Sequence, residues 1–156
     1  MVDNKYKTFF LILLSVFSFS TFGLSQDAKS IEVEQGYIRE TIPGTAISSA
    51  YMLVRNTSNK DIVLFGVNSK VSKRVELHEH SMANGMMKMR QVSSIIVPAN
   101  GQVVLKPSGL HIMIFDLAFG LKAEDEVPLD LVFSDNSVKK VKFPVRSIKQ
   151  HKHHHH

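Results

Sequence analysis

The stretch from His78 to Met113 concentrates the side chains of this 156-residue chain that could bind a metal. It holds five of the seven methionines and all three histidines that precede the C-terminal tail. His111-Ile112-Met113 sets an imidazole and a thioether at i and i+2, which on a strand project from one face. His78 and Met89 flank the short segment Ser81 to Gly85, so a hairpin would bring them together. His78, Met89, His111 and Met113 would then form a neutral set of two imidazoles and two thioethers. Thioethers are soft donors that select Cu(I), whereas Zn(II) normally recruits thiolate, carboxylate or several imidazoles. Methionine needs no deprotonation to bind and forms no disulfide, which suits an oxidising compartment.

His80 and Met82 follow His78 at i+2 and i+4 and would share its face if the strand continued that far. A loop is expected near Ser81, so both are secondary candidates, a Cu(II)-accepting site together with the tail. Met86 and Met87 read as hairpin residues and Met52 as core packing. Glu76 and Glu79 read as solvated charges at a strand end.

The elements that must position these side chains are strands. Between Ile31 and Arg146, short β-branched and aromatic runs are separated by Gly, Pro, Asn and Asp, with no sustained helical period. The predicted strands are Ile31 to Ile38, Ser49 to Asn56, Asp61 to Asn68, Arg74 to His80, Met86 to Val92, Gln102 to Lys106, His111 to Leu117, Pro128 to Ser134 and Val138 to Val145. Asn100-Gly101, Pro107-Ser108-Gly109 and Asp135-Asn136 are turn sequences. The pattern is that of an all-β sandwich or barrel.

The spacing of the candidate ligands resembles that of the PCuAC copper chaperones: a His, ten residues, a Met, twenty-one residues, then His-x-Met, matched here without a gap from His78 through Met89 to His111 and Met113. Leu77-His78-Glu79, Gly85-Met86-Met87-Lys88-Met89-Arg90 and Leu105-Lys106-Pro107-Ser108-Gly109-Leu110-His111-Ile112-Met113 are also similar to the family's strings. Ser108 departs from the glycine common at that position. The resemblance implies a cupredoxin-like Greek-key β-fold, an exposed Cu(I) site, and a role in supplying copper to the CuA centre of cytochrome c oxidase, directly to the CuA-bearing subunit or by way of another copper chaperone.

The ends are read separately. Residues 1–25 have the layout of an export signal: Lys5 and Lys7, an apolar run from Phe9 to Phe22, and small residues before Gln26. The run is shorter than the roughly 20 apolar residues of a spanning helix. The expected product is an exported periplasmic or otherwise extracytoplasmic protein, monomeric and without a membrane span, whose copper-binding domain occupies residues 26–148. Without Lys5, Lys7 and Asp3 the formal charge falls from +5 to +4, and Lys139, Lys140 and Lys142 lie in an alternating segment without aromatics, so nucleic acid is not an expected partner. Residues 149–156, with His151, His153, His154, His155 and His156, form a tail expected to be disordered. It is either a native tract suited to Cu(II) or a purification tag.

No cysteine is present. This removes the thiolate on which a blue-copper electron-transfer centre depends, any disulfide framework, and any Cys-x-x-Cys redox pair. No catalytic constellation or phosphate loop is found, so an enzyme is not expected. Copper storage or tolerance would use the same ligands as a chaperone and differ only in partner.

Overall fold

The computed structural model describes residues 28–83 and 85–147; the expected export signal and the histidine tail lie outside the described residues. The described chain is all β. Its ten strands are β1 (Ile31–Arg39), β2 (Ser48–Asn56), β3 (Ile62–Ser69), β4 (Arg74–Ala83), β5 (Met86–Gln91), β6 (Ile95–Val97), β7 (Gln102–Leu105), β8 (Leu110–Phe115), β9 (Glu126–Phe133) and β10 (Val138–Arg146). They run in the order β5-β4-β8-β2-β1-β10-β9-β3-β6, with β7 also paired to β2.

Alternation determines which face of each strand is buried. In β9, Val127, Leu129, Leu131 and Phe133 point inward, and in β10 Phe143 and Val145 do so. They meet Leu77, Ile112, Ile114 and Met52 from the other half of the sheet in one core. The two halves join where β1 pairs in parallel with the end of β10, Ile38 opposite Val145. A bulge in β1 between Glu34 and Tyr37, with Gln35 at positive φ, lets Gly36 pass under the Phe143 ring, where any Cβ would collide.

Asn56, fully buried at the end of β2, is a second tie between the halves. Its Nδ2 donates to the Lys60 and Val97 carbonyls at 2.7 and 3.1 Å, and its Oδ1 accepts from Ser58 N and Oγ at 2.9 and 2.7 Å. Every polar valence it offers is used, which is the condition for a buried amide to stabilise a fold.

Two sequence expectations change. β6 was not foreseen, because three residues before Pro98 are too few to show a period. The loop expected near Ser81 is absent: β4 continues to Ala83, paired residue for residue with β5, and Gly85 adopts the positive φ of a tight hairpin turn.

Asn56→Ala would remove the side-chain partners of the Val97 carbonyl and the Ser58 amide, while the Lys60 carbonyl keeps the Ser58 hydroxyl at 2.9 Å. It is expected to cost about 2–3 kcal/mol, measured as a lowered urea midpoint with unchanged slope; a loss within error would show that the tie is dispensable.

Candidate metal centre

β4, β5 and β8 expose one face to the outside of the sheet, while Leu77, Ile112 and Ile114 on the reverse face enter the core. The register lays the outer face out in rows. Arg74 lies opposite Phe115, Glu76 opposite Met113, and His78 opposite His111, all between β4 and β8. Between β4 and β5, His78 lies opposite Gln91, His80 opposite Met89, and Met82 opposite Met87. Directly opposed residues share a face, so all of the primary and secondary candidates within the domain fall on one surface.

The register thus places His78, His111 and Met113 at neighbouring positions on this face. Met89 is on the same face, one row along: its direct neighbour is His80, and Gln91 takes the place opposite His78. Because β4 runs on past Ser81, His80 and Met82 belong to the same array. His80 stacks on His111 with centroids 4.8 Å apart, closer than the 5.9 Å between His78 and His111.

Hydrogen bonds assign the ring nitrogens. His111 Nδ1 donates to the Gly109 carbonyl at 2.9 Å, which leaves Nε2 of the neutral ring with its lone pair free. His78 Nε2 donates to Glu76 Oε2 at 2.8 Å, so its lone pair is on Nδ1. That Nδ1, like His80 Nδ1, is buried without a hydrogen-bond partner in the protein. Buried nitrogens left unpaired are costly unless something else binds them, and a metal ion would. The same Gly109 carbonyl accepts from the His80 backbone N–H at 3.1 Å, so one loop oxygen holds both β4 and the His111 ring.

Electrostatics favour a neutral His111 ring. Burial holds the His111 pKa below the ordinary imidazole value, assisted by the neighbouring His80 and His78 and opposed by the bond to Gly109. The bond from His78, with help from Arg74, keeps the Glu76 carboxyl below the usual carboxylate range against a contrary desolvation effect. Glu76, read from sequence as a solvated charge, is therefore the anchor of His78. The signal was its i−2 spacing, which on a strand means a shared face. Glu79 faces the other way and pairs with Arg90 at 2.9 Å.

Tyr51 and Arg74 are further participants that spacing did not single out. The Tyr51 hydroxyl, bonded to Ser49 Oγ at 2.8 Å, belongs to a ring 6.3 Å from His111. Arg74 lies 4.1 Å over the Phe115 ring and ion-pairs with Glu76 and Asp116 at 3.1 and 3.3 Å. Phe115 in turn packs 5.8 Å from His78. One end of the array is closed by this cation and ring.

Among the described residues, no three His, Asp or Glu side chains converge into a group able to hold a metal on their own. A metal ion on this face would have to complete its coordination with methionine sulfur, which favours a soft monovalent ion.

A family model described as "Putative lipoprotein LpqE-like" matches residues 31–145. The chain is 29% identical over 122 residues to "Putative lipoprotein Lxx21020" of Leifsonia xyli, covering 78% of this chain and 72% of that one. It is 32% identical over 120 residues to "Uncharacterized protein RP573" of Rickettsia prowazekii, covering 74% and 66%. Among solved structures it is similar to the Cu(I) form of DR1885 from Deinococcus radiodurans, with 25% identity, TM-score 0.61, and 79% and 84% of the two chains covered. It also shares the fold of the copper-bound PCuAC domain of PmoF2, at 22% identity and TM-score 0.65 over 76% and 93% of the chains. The all-β, cupredoxin-like architecture expected from the sequence is thereby the architecture of this molecule, and with the family match over residues 31–145 the chain belongs to the LpqE-like family, which is the PCuAC family.

Proposed function

We propose that the protein is an extracytoplasmic Cu(I) chaperone that binds one ion through His78, Met89, His111 and Met113 and passes it to an acceptor. The observation that carries this reading is the pair of buried histidines whose lone pairs, on His78 Nδ1 and His111 Nε2, are left free on a methionine-rich face. A relative and a family model bearing lipoprotein names, and neighbours solved with copper bound, support export and copper handling. Among the described residues no helix is long and apolar enough to cross a membrane.

The residues divide the work. The Glu76 carboxylate and the Gly109 carbonyl fix the tautomers of His78 and His111 and orient the rings. The thioethers supply soft, weakly held donors, so an acceptor's ligands can replace them one at a time without any change in oxidation state. No cysteine is available to make the ion a blue-copper electron carrier. The acceptor we propose is the CuA-bearing subunit of cytochrome c oxidase, reached directly or through a second chaperone. The tail histidines, where native, would collect Cu(II).

Anaerobic titration with Cu(I) against a competing chelator, in a chain ending at Ile148, is expected to show one tightly bound equivalent that is lost when Met89 and Met113 are both changed to Ala. Retention in that variant would sink the site.

Protons and Cu(I) compete for the same nitrogen lone pairs, so affinity is expected to fall between about pH 7.5 and about pH 5. Burial resists protonation of His111, so its share of the loss comes below the ordinary imidazole range, while Glu76 stays ionised throughout. A flat profile would remove the imidazoles as ligands.

A deletion strain is expected to lose oxidase activity and recover it with added copper. Normal oxidase activity with raised copper sensitivity would assign the protein to storage or tolerance instead.

A further inference from the structure

The array of donors does not stop at the four proposed ligands. From the His78–His111 pair it continues along β4 and β5 through His80 opposite Met89 to Met82 opposite Met87, all on one face. Exposure rises along it: His111 and His78 are 2% and 7% exposed, Met89 48%, Met87 57% and Met82 68%. Exposed thioethers gain nothing from burial, and three of them side by side on an edge hairpin have no packing role. Met86, opposite Ala83 in the next register position, projects from the other face and takes no part.

The other ways out of the site are unsuited to a soft cation. At the far end Arg74 covers Phe115 and presents a positive charge. Beside Met113 a shallow cavity of about 140 Å³ is lined by Arg39, Glu40, Ile42, Ile47, Ser48 and Ser49, with no further histidine or methionine. Tyr51, itself buried, lies against His111 on the β2 side.

The geometry points to a second, outer soft-metal site formed by Met82 and Met87, through which Cu(I) enters and leaves the inner histidine site. Directly opposed strand residues have Cβ atoms roughly 5 Å apart, close enough for two flexible thioethers to grip one ion. Successive donor pairs are two residues apart, roughly 6.8 Å along the strand, a step that long methionine side chains can shorten. His80, stacked on His111 with an unpartnered Nδ1, supplies the intermediate nitrogen with Met89. The ion moves by exchange of neutral ligands, so no proton or electron has to follow it. The route rests on the inner site proposed above; the outer pair stands on its own register and exposure.

The test uses the full chain with His151, His153, His154, His155 and His156 changed to alanine, its methionine methyl groups labelled with carbon-13, and Ag(I) as a redox-inert probe beside anaerobic Cu(I). The first equivalent is expected to shift the methyl signals of Met89 and Met113, and the second those of Met82 and Met87. In a Met82→Leu, Met87→Leu variant, which keeps apolar volume at exposed positions, the first equivalent should bind as before. The second should be lost, and Cu(I) transfer to a water-soluble bidentate chelator should slow severalfold. Met82 and Met87 signals that stay still through two equivalents, or variant transfer at the unaltered rate, would overturn the proposal. If Met89 and Met113 fail to respond, the inner site falls, while the Met82 and Met87 signals still decide the outer pair.

Discussion

The antiparallel register of β4 against β8 is the constraint on which the site depends. With Leu77 opposite Ile112 and His78 opposite His111, Leu77, Ile112 and Ile114 enter the core while the histidines and methionines of the pair face out. Strand side chains alternate with a period of two, so a slip of one residue would bury the histidines in the core and expose Ile112 and Ile114. Core packing and ligand placement are therefore one decision. The energy that fixes the register comes from the apolar side, where Leu77, Ile112 and Ile114 are almost wholly buried.

The outer face divides stiffness from mobility. His78 and His111 are buried, hydrogen-bonded through one ring nitrogen to Glu76 and Gly109 respectively, and flanked by Phe115 and Tyr51. Met82, Met87 and Met89 lie on the edge hairpin with β5, whose residues are exposed throughout. Rigid nitrogen donors with preset lone pairs give selectivity, and flexible sulfur donors at the rim give access. A carrier that must release its ion needs both properties, and the sheet supplies them by grading burial along one hairpin.

Much of this was legible in the sequence, and the failures have physical causes. The all-β class and most strand positions follow from alternation and turn residues. Ile95–Val97 was missed because a three-residue strand shows no period. The break expected near Ser81 was wrong because local composition underestimates pairing: Ser81, Met82 and Ala83 look like a loop alone but are held by partners on β5. Glu76 was discounted because a carboxylate near a strand end is usually solvated, and only the packed arrangement shows it bound to His78.

By itself the sequence determined which donors exist and how far apart they lie along the chain: neutral imidazoles and thioethers, no thiolate, and an i, i+2 pair that any strand must put on one face. These are properties of residue type and backbone period, which hold before folding. Tertiary structure decided which residues meet across strands: that Met89 lies opposite His80 with Gln91 opposite His78, that a Gly109 carbonyl and a Glu76 carboxylate set the imidazole tautomers, and that Arg74 closes one end of the array. Such pairings depend on register and on contacts between residues distant in sequence, set by how the apolar reverse face packs into the core.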